Sequence, residues 1–225
     1  MAGDPVKTAA IRIWRSEDGG AGGRFEDYEV PWEDGETVLG ALQHVYEQED
    51  ASLAFRHGCR YLQCGLCGVR ISGEDRLACT VHLKDGMEIE PMHHLPVVRD
   101  LVIDRRPRME ELRTLALQAD PKLDQDMEAW KKSDAAPRYY NCFDCVECLC
   151  CHSMCPEADD GHAGAFTLVK LAQMHHHPRN GEDRVRQARE AGLEKCIPCR
   201  KCHCPYGVKI QQNVIGAFLG AAGME

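Results

Sequence analysis

The stretch GCRYLQCGLCG, residues 58–68, decides how this chain is read. It spaces Cys59, Cys64 and Cys67 as C-x4-C-x2-C, and Cys79 follows after a gap of eleven residues. Gly58, Gly65, Gly68 and Gly73 surround these thiols. Glycine tolerates the left-handed backbone that a tight loop needs, so the loop can turn its thiolates and free N–H groups toward one point. The flanking residues read as strands. Thr8 to Trp14 and Arg24 to Val30 have the length and partial alternation of a hairpin, with Gly19, Gly20, Gly22 and Gly23 between them. Thr37 is placed to cap a helix from Val38 to about Gln48, whose Val38, Leu42, Val45 and Tyr46 share one side. With short strands at Gly68 to Ile71 and Met87 to Ile89, the first part of the chain outlines a small twisted sheet with one packed helix, a β-grasp domain.

The C-x4-C-x2-C opening is the spacing of a plant-type [2Fe–2S] ferredoxin. A zinc site more usually presents two C-x2-C pairs, and this system has one. The spacing favours Cys59, Cys64, Cys67 and Cys79 as ligands of a two-iron centre, with zinc as the alternative.

Ten of the fourteen cysteines lie between Cys142 and Cys204, and none falls between residues 80 and 141. Two cysteine systems imply two domains. Near residue 107 the pattern changes: Arg108 to Gln118 has helical spacing, with Met109, Leu112, Leu115 and Ala116 on one face. Further helices are expected at Ala165 to His175, Arg184 to Ala191 and Val208 to Leu219, with the charged segment Asp120 to Pro137 as a surface connector. The expected division is an α+β chain, with a [2Fe–2S] β-grasp ferredoxin domain over residues 1–107 and an all-α, bacterial-ferredoxin-like domain over 108–225. His175-His176-His177, just before Pro178, reads as a solvated helix end facing the dipole rather than a metal site. The pair His93-His94 is read the same way.

The second half opens with Cys145-x2-Cys148-x2-Cys151-x3-Cys155-Pro156. This is the bacterial ferredoxin run, in which three cysteines hold one [4Fe–4S] cluster and the fourth serves another. Its partner is Cys196-x2-Cys199-x2-Cys202-x1-Cys204-Pro205, with the last gap shortened to one residue. Crossed ligation assigns Cys145, Cys148, Cys151 and Cys204 to one cluster and Cys155, Cys196, Cys199 and Cys202 to the other. Cys142 and Cys150 read as buried thiols beside a cluster rather than ligands. A multi-zinc module is the alternative for this half.

Composition narrows the remaining classes. A net charge of -9 over 225 residues argues against a nucleic-acid surface. The longest nearly apolar run, Val214 to Met224, contains three glycines and is well short of the roughly 20 residues that span a bilayer. No export signal is read at the N-terminus, so a cytosolic or matrix-like compartment is expected.

With these motifs in hand, the chain resembles the iron–sulfur subunits of the succinate dehydrogenase/fumarate reductase family over nearly its whole length. The likeness rests on the eleven-residue gap of the first system, the helical two-cluster half, Thr37-Val38-Leu39, Ser52-Leu53-Ala54-Phe55-Arg56, the pair Cys150-Cys151, and the run from Leu95 to Asp104 (LPVVRDLVID). It implies a three-cluster electron wire between an FAD-containing catalytic subunit, which oxidises succinate or reduces fumarate, and a membrane-anchor or other acceptor subunit. It also implies a peripheral position on the cytoplasmic face of the membrane. The Cys59–Cys79 cluster is expected to face the flavoprotein, the Cys145 cluster to lie in the middle and the Cys196 cluster to face the acceptor. No Ser-His-Asp order with an elbow motif and no nucleotide fingerprint is present, so the chain itself is expected to do no substrate chemistry and to carry no flavin.

Two departures shape the expectation. Similar members with a [3Fe–4S] centre have a non-cysteine residue where this chain has Cys199, so a second [4Fe–4S] is expected, with [3Fe–4S] only if Cys199 is not a ligand. Similar quinone-reducing members place aromatic residues and a histidine where this chain has Glu157-Ala158-Asp159-Asp160 and Ile197. The usual quinone pocket is therefore not expected; His203 is read as a replacement for that histidine or, with at least equal weight, as a hydrogen-bond partner of a cluster sulfur or a surface residue, and the pattern looks like the non-classical branch of the family. Two other readings stay open: the same wire serving a different flavoprotein or a thiol–disulfide reductase module, and a zinc-stabilised interaction protein.

Overall fold

Every second side chain of TAAIRIWR turns inward, and strand β1 forms over Thr8–Arg15 with Ala9, Ile11, Ile13 and Arg15 buried. The computed structural model describes residues 7–158 and 162–224, and the chain divides into two compact units, Met1–Arg105 and Arg106–Glu225.

In the first unit β1 pairs antiparallel with β2 (Arg24–Pro31) and parallel with β5 (Met87–Glu90). With β3 (Gly68–Ile71) and β4 (Glu74–Leu77) they make a mixed five-stranded sheet in the order β2-β1-β5-β3-β4. A parallel β1/β5 pair requires a long crossover. That crossover carries helix α1 (Val38–His44), the first cysteine loop and the β3–β4 hairpin. Thr37 Oγ1 accepts from the Gly40 N–H at 3.2 Å and caps α1, which buries Val38, Leu39, Ala41 and Leu42. The α-helical winding stops at His44, short of Gln48, and widens into a π turn over Val45–Glu49 closed by the Asp50 N–H on the Val45 carbonyl. Asp50 leaves that turn to pair with Arg15, the buried last residue of β1.

Periodicity missed β4 and a second hairpin, β6 (Val97–Arg99) with β7 (Val102–Ile103), because such short strands hold too few residues to show a period. Asp100 at the tip of that hairpin has φ +45° and is 1% exposed. Its Oδ1 accepts from the Ser16 N–H and its Oδ2 from the Ala54 N–H, both at 2.8 Å, and Arg15 Nε lies 3.3 Å from Oδ1. One carboxylate thus ties the end of β1, the hairpin and the segment leading into the cysteine loop.

In the second unit the regular elements among the described residues are helices. Helix α2 (Arg106–Arg113) ends five residues before Gln118, because Leu115 and Ala116 turn away, with Ala116 at φ +48°. Their carbonyls accept from the guanidinium of Arg184, itself 1% exposed, at 2.8 and 3.0 Å. The supposed connector 120–137 contains α3 (Met127–Lys131), capped by Asp126 Oδ1, and the start of α4 (Ala135–Phe143). Pro137 marked a break in the sequence, yet it sits in the first turn of α4, where its missing N–H has no intrahelical partner to lose. A short α5 (Cys150–Ser153) follows.

Helix α6 (Gly164–His175) is the centre of the unit: its first nine residues are all buried, Thr167 and Lys170 included. A helix buried on every side is a core helix. It packs against α4, α5 and α7 (Arg184–Glu190) and against the π-wound segment Ile210–Gly216, which runs into α8 (Ala217–Ala222). The structure overturns the expected solvated end at His175-His176-His177. His176 is 5% exposed with Nε2 2.8 Å from the Asn213 carbonyl, His175 lies 5.0 Å from the Phe218 ring, and the Trp130 indole N–H bonds the His176 carbonyl. Burial lowers the pKa of all three rings, so at neutral pH they fill a joint between helices rather than place a cation on the dipole. His93 and His94 are exposed. Among the described residues no helix is long and apolar enough to cross a membrane.

Candidate metal centres

The first cysteine loop curls because residues of opposite backbone hand alternate along it. Arg60, Leu62 and Gly65 have φ of +65°, +69° and +66°. For Arg60 and Leu62 the left-handed region costs about 1 kcal/mol each or more, a strain that the surrounding loop must hold in place. Gly58 and Gly68 do not adopt it, so only Gly65 and Gly73 use their freedom as the sequence suggested. Gly58 instead supplies space: a Cβ there would lie 3.2 Å from Cys64 Sγ. The curl points N–H groups at sulfur. Cys59 Sγ accepts from Gln63 N at 3.1 Å and Cys64 N at 3.2 Å, and Cys64 Sγ accepts from Cys59 N at 3.4 Å. The Tyr61 N–H is the largest influence drawing Cys59 down to about 7, opposed by desolvation. Burial pushes Cys67 up to about 12, and Cys67 feels both Cys79 and Cys64.

The run from Cys145 to Cys155 repeats the device. Glu147 and Leu149, interleaved with Cys145, Cys148 and Cys151, have φ of +57° and +69°, and the Glu147 N–H is directed at Cys145. The structure brings Cys145, Cys148, Cys151 and Cys204 to the wall of one cavity, closed by Phe166, Val169 and Ile210. Burial pushes Cys145 up to about 11, against the opposing charge of Lys170, and raises Cys151; both thiols are raised further by Cys148 and Cys204. A second group forms from the other run. Burial pushes Cys196 and Cys202 up to about 12, and each also feels Cys155 and Cys199. Cys151 feels Cys202, so the two groups are neighbours within this unit.

The thiols fit a polynuclear iron–sulfur group. They stand in fours. Buried side by side, bare thiolates repel one another and lose hydration, and a polycationic iron core turns that repulsion into ligation. Cys142 and Cys150 are fully buried, and the Cys142 Sγ–H donates to the Asn213 carbonyl at 3.9 Å. His203 has its Nε2 buried without a hydrogen-bond partner among the described residues.

Two features had no signal in the spacing. Lys170 reaches from buried α6 to Glu147 Oε1 at 2.5 Å, beside Cys145. His162, 5% exposed, places Nε2 3.2 Å from Cys196 Sγ, and its Nδ1 accepts from the Gly164 N–H at 2.7 Å. Both rest on tertiary packing around α6, which local spacing does not encode.

Comparison with known proteins places the chain among relatives. The family described as "2Fe-2S iron-sulfur cluster binding domain" matches residues 10–110. The fumarate reductase iron-sulfur subunit of Haemophilus influenzae is 30% identical over 173 residues, 70% of this chain and 67% of that one. A fumarate reductase (CoM/CoB) polypeptide of Methanothermobacter marburgensis is 31% identical over 207 residues, 89% of this chain and 41% of that protein. The chain spans about two fifths of the length of the first curated relatives it matches. A chain of the Mycobacterium smegmatis Sdh1 complex in the apo form superposes with a TM-score of 0.86 at 27% identity, covering 97% of both.

Proposed function

The chain belongs to the iron–sulfur subunits of the succinate dehydrogenase/fumarate reductase family, and from that premise we propose that it is the electron-transfer subunit of such an oxidoreductase complex, passing electrons between a partner flavoprotein and an acceptor subunit at the cytoplasmic face of a membrane. Its first unit is a β-grasp ferredoxin domain holding [2Fe–2S] on Cys59, Cys64, Cys67 and Cys79. Its helical unit holds a [4Fe–4S] on Cys145, Cys148, Cys151 and Cys204, and a second on Cys155, Cys196, Cys199 and Cys202. The observation that carries the reading is the exchange of fourth members between the runs: Cys204 stands with the first run and Cys155 with the second.

Bound there, the clusters supply one-electron storage at potentials set by burial and by hydrogen bonds to sulfur. The chain's own residues supply the setting. Thiolates fix each position, the N–H groups of Tyr61, Gln63 and Glu147 stabilise negative charge on sulfur, and Phe166, Val169 and Ile210 keep water from the Cys145 group. Low-temperature electron paramagnetic resonance (EPR) of the purified complex, oxidised and dithionite-reduced, tests the assignment. The expected result is silence when oxidised, then a two-iron signal with interacting cubane signals on reduction. A [3Fe–4S] signal in an oxidised sample protected from air would remove Cys199 from the ligand set.

A further inference from the structure

We propose that His162 is the positioning residue that sets the potential of the third cluster, through an Nε2–H···Sγ hydrogen bond to Cys196. The inference rests on the assignment of Cys196 as a ligand of that cluster. Its geometric basis is the tautomer. A backbone N–H can only donate, so the Gly164 N–H at 2.7 Å requires Nδ1 to be the acceptor and leaves the ring's proton on Nε2. That proton faces Cys196 Sγ at 3.2 Å in a buried site.

The donor to the ring sits where only glycine fits. Gly164 opens α6 at φ +83°, and a Cβ there would collide with His152 Nδ1. Only glycine satisfies both the backbone hand and the contact, so a side chain at 164 would displace His152 or the N–H that His162 accepts. A backbone amide therefore fixes an imidazole, and the imidazole fixes a hydrogen bond to sulfur, the relation by which outer partners orient and tune metal ligands. Reduction adds negative charge to a cluster and its thiolates. A bond donated to sulfur stabilises that charge, so His162 raises the reduction potential of the cluster it touches. His203 is adjacent in sequence to Cys202 and Cys204, but it makes no such bond among the described residues.

The test is an EPR-monitored redox titration of the intact, cluster-loaded complex. H162L is expected to lower the midpoint potential of the third cluster alone, at unchanged iron content. An unchanged potential, or an equal shift of all three clusters, overturns the proposal. If H162L loses the cluster, H162Q and H162N decide: Gln carries its amide donor to the Nε2 position and Asn only to the Nδ1 position. A fall in H162N but not in H162Q supports the bond, and equal potentials in the two overturn it. C196S, measured in parallel, separates the two levels of the argument. Loss or alteration of the third signal alone upholds the ligand assignment, whereas three unaltered signals sink that assignment and this proposal with it, whatever H162L does.

Discussion

Replacing Asp100 by alanine is expected to weaken the first unit by about 3–5 kcal/mol, and the amount follows from its hydrogen bonds. The carboxylate takes the Ser16 and Ala54 N–H groups at 2.8 Å, one on each oxygen, at a position 1% exposed. Each is a bond to a charged group, worth about 1.5–3 kcal/mol, and alanine leaves both donors buried and unmatched. Arg15 keeps Asp50 as a counter-ion, so its lost contact with Asp100 adds little. D100N is expected to fall about half-way, since one oxygen still accepts while the NH2 group meets the other donor. Against a typical domain stability of about 5–15 kcal/mol, the alanine variant lies near the margin. Because the two units need not unfold together, the assay is hydrogen exchange of the full chain, read at peptides covering Ser16 and Ala54, beside a urea transition. A loss below about 1 kcal/mol, or unchanged protection at those two amides, would refute the hub, because the bonds counted here would then carry no net stability.

Three further outcomes are expected. C64S should remove the two-iron EPR signal and leave both cubane signals; equal loss of all three would contradict separate sites. C199S should convert or destroy the third centre alone, read by the same spectra, and an unaffected third centre would make Cys199 a bystander. The third concerns acid. The folded-state pKa of His175 is lowered from 6.5 to about 4, first by burial and then by His176 and Arg138. Below about pH 6.5 the unfolded chain therefore takes up a proton that the folded chain refuses, and stability falls between roughly pH 6.5 and 4, by about 1–2 kcal/mol after allowing for the ring's partial solvation. H175F should reduce that slope in urea titrations at pH 7, 6 and 5; His176 and His177 leave a remainder, and an unchanged slope would show that His175 is not its source.

The elements with a clear period were legible. The alternation of β1 and the spacing of α6 and α7 survive in the structure to within a residue or so. What escaped depends on partners far along the chain. Lys170 and Thr167 look like a polar face, yet both are buried because Glu147, and the Ala163 carbonyl with Glu111, take their polar ends. Helix α2 stops early because a distant arginine donates to the carbonyls that follow it, and no local residue announces that. The cysteine spacings proposed a grouping of thiols, and Cys204, after its shortened gap, lies beside Cys145 and Cys151 on one cavity wall. They were silent on His162, whose role depends on the first backbone amide of α6.

Because Cys204 stands with the first run and Cys155 with the second, neither proposed cubane site exists until the whole helical unit has been made. During synthesis the first run emerges with three thiols of one site and one thiol of another, and iron delivered at that moment meets only open coordination. Maturation is thereby tied to completion. On that assignment the unit can be loaded only after the second run has docked against the first, and a chain caught earlier presents clustered free thiols open to oxidation.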